Sequence, residues 1–207
     1  MRQGVVRAAS WAVTMRALSR RLALAALLAA NAAQAANIVI EKPETPTSPA
    51  VVSVAGRVDS GDYAAFILVT QHMKNATIYF YSEGGEIADA VLIGQLIREK
   101  RFNTAVADQE TCWSACALAW LGGAKRFLGN SAAVGFHAPH DKTGQRSAHG
   151  EATVSAYLKE MGLPDRVAIY VLEPGPKELN FLMSETDARA HGIELTKLPI
   201  REFVPLP

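Results

Sequence analysis

The chain has 207 residues, 49% of them hydrophobic and 20% charged, with 21 basic residues against 20 acidic ones and a formal net charge of +1. That length suits one ordinary domain with a sizeable core once an N-terminal segment is set aside. The balance of charge excludes the basic stripe of a nucleic-acid binder, and no long charge run is present.

Residues 1–35 differ from the rest. Arg16, Arg20 and Arg21 precede the apolar run from Leu22 to Ala30, and Ala33-Gln34-Ala35 follows as a small-x-small cleavage pattern. The run is shorter than the ~20 residues a bilayer-spanning helix needs. The segment reads as a signal peptide cut after Ala35, which implies a periplasmic or secreted protein that meets the membrane only through its leader; an uncleaved anchor is the alternative. Met15 offers a second start, with a short basic region directly before the apolar core. Residues 36–50 carry Pro43, Pro46 and Pro49 among Glu, Thr and Ser and read as an extended or disordered linker. The domain is then expected over 51–207.

Within it, Val51–Val54 reads as a strand ending at Gly56. Ser60-Gly61-Asp62 offers cap chemistry for a helix to about Gln71, and the alternating, aromatic Thr77–Tyr81 is the clearest strand. Ser82-Glu83-Gly84-Gly85 stops that strand. Ile87, Ala90, Val91, Gly94 and Ile97 then recur at helical spacing. Thr104–Ala107 is a short strand, Ser114–Leu121 a buried helix, and Arg126–Leu128 and Ala133–Phe136 two more strands. A polar loop from Asp141 to Gly150, helices over about 151–161 and 164–173, and a last short helix over Ser184–Ala190 complete the reading. Strands alternating with helices give an α/β fold with a mainly parallel sheet and helical cover.

Three features could carry chemistry. Gly84-Gly85, between a strand and a helix, lets backbone N–H groups face outward as an oxyanion site requires, although a plain tight turn would look the same. Ser114, at a helix start, is either a nucleophile assisted by the N–H of Ala115 or a simple cap. His137, at a strand end, is a general base if its ring reaches the serine; His140, His149 and His191 stand in contexts that read as loop or exposed helix. Cys112 and Cys116, four apart, read as a disulfide in an exported protein. Zinc would need two more ligands, for which His137 and His140 are the local candidates, and no metal or other cofactor is expected.

Taken together, the order strand, Gly-Gly, helix, strand, Ser-Ala, Gly-Gly-Ala, strand, strand, His resembles the proteolytic subunit of the Clp protease and its relatives in the crotonase superfamily, over roughly Val51 to Leu195. Tyr81-Ser-Glu-Gly-Gly-Glu-Ile87 is similar to the family's Asn-Ser-Pro-Gly-Gly turn, Ser114–Ala119 to its nucleophile segment, Gly135-Phe-His-Ala-Pro139 to its histidine segment, and Leu182–Gly192 to its closing segment. The nearest likeness is to exported members with Cys-x-Ser-x-Cys around the nucleophile. The resemblance implies the spiral α/β fold of that superfamily and a serine peptidase, with Ser114 as nucleophile, His137 as base, and Gly84, Gly85 and Ala115 at the oxyanion hole. It further implies a homo-oligomer and a peptide or unfolded-protein substrate. No ATP-dependent unfoldase is expected, because there is no Walker motif and export leaves ATP behind.

The chain departs from the family at Glu83, which replaces a proline, and at Asn180, which stands at the acidic triad position and would orient the histidine without a charge. Asp141 and Asp187 are the possible substitutes. The stretch between His137 and Asn180 is also shorter than the family's ring-stacking handle. A non-catalytic binding or assembly module is therefore the rival reading, and an acyl-CoA enzyme, which export disfavours, the third. A Cys112–Cys116 bridge would stiffen the loop that aims Ser114, with little effect on global stability because the loop is so short.

Overall fold

The computed structural model describes residues 35–41 and 49–198. Most of the segment read as a signal peptide, up to residue 34, and the middle of the stretch read as linker lie outside them. Among the described residues the strands are β1 (Asn37–Glu41), β2 (Ala50–Ala55), β3 (Ala76–Tyr81), β4 (Asn103–Val106), β5 (Thr111–Trp113), β6 (Arg126–Leu128), β7 (Ala133–Phe136), β8 (Asn180–Leu182) and β9 (Thr196–Lys197). The helices described among them are α1 (Asp62–Thr70), α2 (Ile87–Glu99), α3 (Ala115–Leu121), α4 (Ala148–Glu160), α5 (Asp165–Leu172) and α6 (Glu185–Ala190). The main sheet runs β1-β2-β3-β4-β6-β9 and a second sheet β5-β7-β8. All pairings are parallel except β1 with β2 and β7 with β8. The mixed α/β architecture with a mainly parallel sheet is the one expected.

Local sequence explains most of this. In β3, Ala76, Ile78 and Phe80 are buried while Thr77 and Tyr79 are half-buried, the period-2 pattern of a strand covered on both faces. The stretch read as linker is not all linker. Asn37–Glu41 pairs antiparallel with β2, Ile38 packs on the core, and Ser53 Oγ donates to Glu41 Oε1 at 2.7 Å. The cap of α1 also differs from the sequence reading. Gly61 is the capping residue, at φ 100°, and has no side chain to cap with; Asp89 of α2 supplies the acceptor, its Oδ1 taking the N–H groups of Gly61 at 3.0 Å and Tyr63 at 2.9 Å.

α3 is buried along its whole length. Specific bonds fix its C-terminal end and its middle. At its C-terminal end the Leu121 carbonyl accepts from Arg126 Nε at 2.9 Å and from Arg98 Nη2 at 3.2 Å. Burial, with the neighbouring Arg98, pulls the Arg126 pKa down to about 10, so it keeps its charge at neutral pH. In the middle, Tyr157 Oη of α4 donates to the Leu118 carbonyl at 2.8 Å; burial pushes that hydroxyl's pKa well above its ordinary value, which keeps it a neutral donor. Tyr157→Phe leaves this carbonyl unpaired in a dry site and is expected to destabilise the fold by about 1–2 kcal/mol in urea unfolding. A smaller change would mean that the carbonyl finds another donor.

The step that shapes the cleft lies at Ser82, just beyond β3. Its N–H donates to Thr111 O at 3.1 Å and its carbonyl accepts from Trp113 N–H at 2.9 Å, tying the second sheet to the end of the first. The chain can then turn from β5 into α3 directly beside Gly84. Among the described residues, no helix is long and apolar enough to cross a membrane.

Candidate active site

Ser114 joins β5 to α3 with φ 56° and ψ −124°, a left-handed backbone for a residue other than glycine. Such a conformation costs on the order of 1–3 kcal/mol and persists only where its surroundings enforce it. Three contacts do so. Its N–H donates to the Gly135 carbonyl on β7 at 2.8 Å. A disulfide joins Cys112 on β5 to Cys116 in α3, bracketing the turn. Gly84 lies so close that a Cβ there would stand 2.6 Å from Ser114 Cβ and 2.7 Å from the Trp113 carbonyl oxygen. The Ser114 side chain makes no capping hydrogen bond, so the simple cap weighed from sequence is not what this residue is.

His137 follows β7, half-buried, and lines the same cleft as Ser114, Ala115 and Gly85. The remaining wall is largely apolar, with Ile87, Leu118, Phe136, Val154 and Val171. His137 Nδ1 lies 2.8 Å from the Ala138 carbonyl oxygen, so the ring donates there in the Nδ1–H tautomer and Nε2 keeps its lone pair. No hydrogen bond joins Ser114 Oγ to His137. Catalytic hydrogen bonds often tighten only when substrate binds. The His140 ring stacks on that of His137 with centroids 5.8 Å apart.

The residues picked out from sequence separate here. The N–H of Gly84 is spent on Ser82 Oγ at 3.0 Å, so Gly84 is not a free oxyanion donor. The N–H groups of Gly85 and Ala115 donate to no protein group among the described residues, and both residues line the cleft. Asn180 does not orient His137. It pairs with Phe136 across β7 and β8, and its Nδ2 donates to the Tyr170 carbonyl at 3.0 Å. Neither proposed substitute reaches the ring. Asp141 Oδ1 is held by Thr143 Oγ1, Thr143 N–H and Gln145 N–H, and the Thr143 bonds depress its pKa. Asp187 lies 3.8 Å from His191. Among the described residues, then, the group on Nδ1 is a backbone carbonyl and no carboxylate contacts His137.

Two participants escaped the sequence reading. Ser82, 3% exposed, takes the Gly84 N–H and fixes the glycine turn; its place in the Gly-Gly turn was its only signal. The Ala138 carbonyl carried no signal, because every residue has one.

The sequence matches no protein-family model and no curated protein. Solved structures do match in shape. The 1510-N membrane-bound stomatin-specific protease, in a variant form, aligns at TM-score 0.54 and 15% identity, covering 70% of this chain and 77% of that one. A second variant of that protease, in complex with a substrate peptide, aligns at TM-score 0.53 and 15% identity, over 70% of this chain and 73% of the other. A variant of ClpP1 from Listeria monocytogenes aligns at TM-score 0.52 and 16% identity, over 72% of this chain and 92% of that one. These likenesses show that the chain has the ClpP-like fold.

Proposed function

We propose that this chain is an exported serine hydrolase, a peptidase acting on short or already unfolded peptides, working in the periplasm or outside the cell as a homo-oligomer. The observation that carries the reading is the enforced left-handed backbone of Ser114 at a cleft shared with His137 and with two unspent N–H groups, on Gly85 and Ala115. Strain of this kind is retained at reactive residues because it exposes the side chain to substrate.

In the proposed reaction, Ser114 Oγ attacks the substrate carbonyl carbon and His137 Nε2 takes the hydroxyl proton. The carbonyl oxygen, now anionic, accepts from Gly85 and Ala115 N–H. Collapse of the tetrahedral species expels the amine, which takes the proton back from His137, and leaves an acyl-serine. Water, deprotonated by the same ring, then releases the acid and restores Ser114. The substrate lies extended past Gly84-Gly85, main chain against main chain.

A fluorophosphonate, which phosphonylates an activated serine, tests this directly. The mature protein is expected to label and Ser114→Ala not to. Absent labelling, or labelling that persists in the variant, favours the rival reading as a binding or assembly module. That no carboxylate among the described residues bonds to His137 is the observation on that side.

A further inference from the structure

Asp62 is a buried carboxylate that the proposed chemistry does not use. It is only 2% exposed, in the first turn of α1. Its Oδ2 accepts from the Asp59 N–H at 2.7 Å and from the Ala36 N–H at 3.1 Å, and among the described residues no Lys, Arg or His forms an ion pair with it. Burying an ionised carboxylate on two amide donors alone is costly. The neighbouring acids are already engaged: Asp59 Oδ1 takes the Ser60 N–H, and Asp89 Oδ1 takes those of Gly61 and Tyr63.

The second donor is the informative one. Ala36 is the residue that follows the small-x-small pattern Ala33-Gln34-Ala35. Ala35 is exposed, whereas Ala36 is half-buried against the core, and β1 begins one residue later. The bond that a signal peptidase would cut therefore sits where the chain enters the domain. Hydrolysis there consumes one water, leaves a carboxylate on Ala35 that departs with the leader, and leaves an amine on Ala36 that takes up a proton at neutral pH.

We propose that the mature chain begins at Ala36 and that its new α-ammonium forms a buried ion pair with Asp62. The nitrogen already stands at hydrogen-bond distance, so cleavage adds a full positive charge at the carboxylate without moving the backbone. The domain then gains its charge partner for Asp62 only after the leader is removed. This rests on the export reading and not on the serine chemistry.

The experiment expresses the full-length chain with its own leader in a bacterial host and reads the product by intact mass and N-terminal sequencing. A chain beginning at Ala36 is expected, and a start at any other residue overturns the proposal. Retention of the leader overturns the proposal in favour of the uncleaved anchor, and leaves Ser114 labelling as a separate question. Two changes are then combined: one glycine inserted between Ala35 and Ala36, which moves the ammonium outward, and Asp62→Asn. Each alone is expected to lower Tm by about 5 °C or more, and the pair by no more than the larger single loss. An insertion that leaves Tm unchanged, or losses that add, overturns the ion pair; the insertion alone decides if Asp62→Asn fails to fold.

Discussion

His137→Ala is expected to lower kcat on a reporter peptide by about a thousandfold or more, while Asn180→Ala leaves it within about threefold. The contrast follows from where the two side chains are bonded. The imidazole is the one basic ring half-buried beside Ser114, with Nδ1 held by the Ala138 carbonyl and Nε2 left to take a proton. The Asn180 amide is committed to the Tyr170 carbonyl, and its backbone pairs with Phe136 across β7 and β8. Losing that bond costs about 1 kcal/mol of stability and little catalysis. A carbonyl can fix the tautomer of His137, but it offers no negative charge to the imidazolium that forms in the transition state. The wild-type rate is therefore expected to be modest beside a triad whose carboxylate both fixes the tautomer and stabilises the imidazolium. If Asn180→Ala falls as far as His137→Ala, the amide must turn onto the ring when substrate binds, and the bond to Tyr170 is only the resting arrangement.

How far the sequence could be read depended on whether a residue's role was carried by its side chain or by its surroundings. Thr77–Tyr81 and Ile87–Ile97 announce their structure by period, and the structure has β3 and α2 there. Thr111–Trp113 does not. Three residues are too few to show a period, and their strand character comes from Ser82 on one side and β7 on the other. β9 is shorter still and exists because β6 offers an edge. Asn37–Glu41 is hidden by its neighbours: Pro43, Pro46 and Pro49 follow it, and the composition of the whole stretch masks a run of only three apolar residues, Ile38-Val39-Ile40. The same divide runs through the cleft. Ser114, His137 and the glycine turn stand out as candidates because the proposed chemistry requires particular residue types. The spending of the Gly84 N–H on Ser82 and the carbonyl on His137 were not found, since both are backbone events decided by a few tenths of an ångström. The cap of α1 belongs with them: Asp89 serves a helix that begins many residues earlier, and nothing local to Gly61 points to it.

Gly84→Ala is expected to abolish fluorophosphonate labelling of Ser114 and to destabilise the domain by about 3 kcal/mol or more, with Gly56→Ala as the informative control. Both glycines have left-handed backbones, φ 102° at Gly84 and 91° at Gly56, so alanine at either position carries a conformational penalty of about 1–2 kcal/mol. They differ in what a methyl group would meet. At Gly56 nothing lies within 4 Å, whereas at Gly84 the new carbon would stand 2.6 Å from Ser114 Cβ, 2.7 Å from the Trp113 carbonyl oxygen and 3.0 Å from the Ala115 nitrogen. Two of those atoms are backbone, and the third sits on a residue already fixed by Gly135 and bracketed by the Cys112–Cys116 bridge, so none can retreat cheaply. The turn must open instead, and opening moves together the hydroxyl and the Ala115 N–H on which the proposed reaction depends. Thermal unfolding of the two variants separates backbone strain, which they share, from collision, which only one has. Equal losses of stability, with labelling retained in Gly84→Ala, would show that the elbow yields more readily than its three restraints imply, and that the Ser114 conformation is not enforced by the glycine turn.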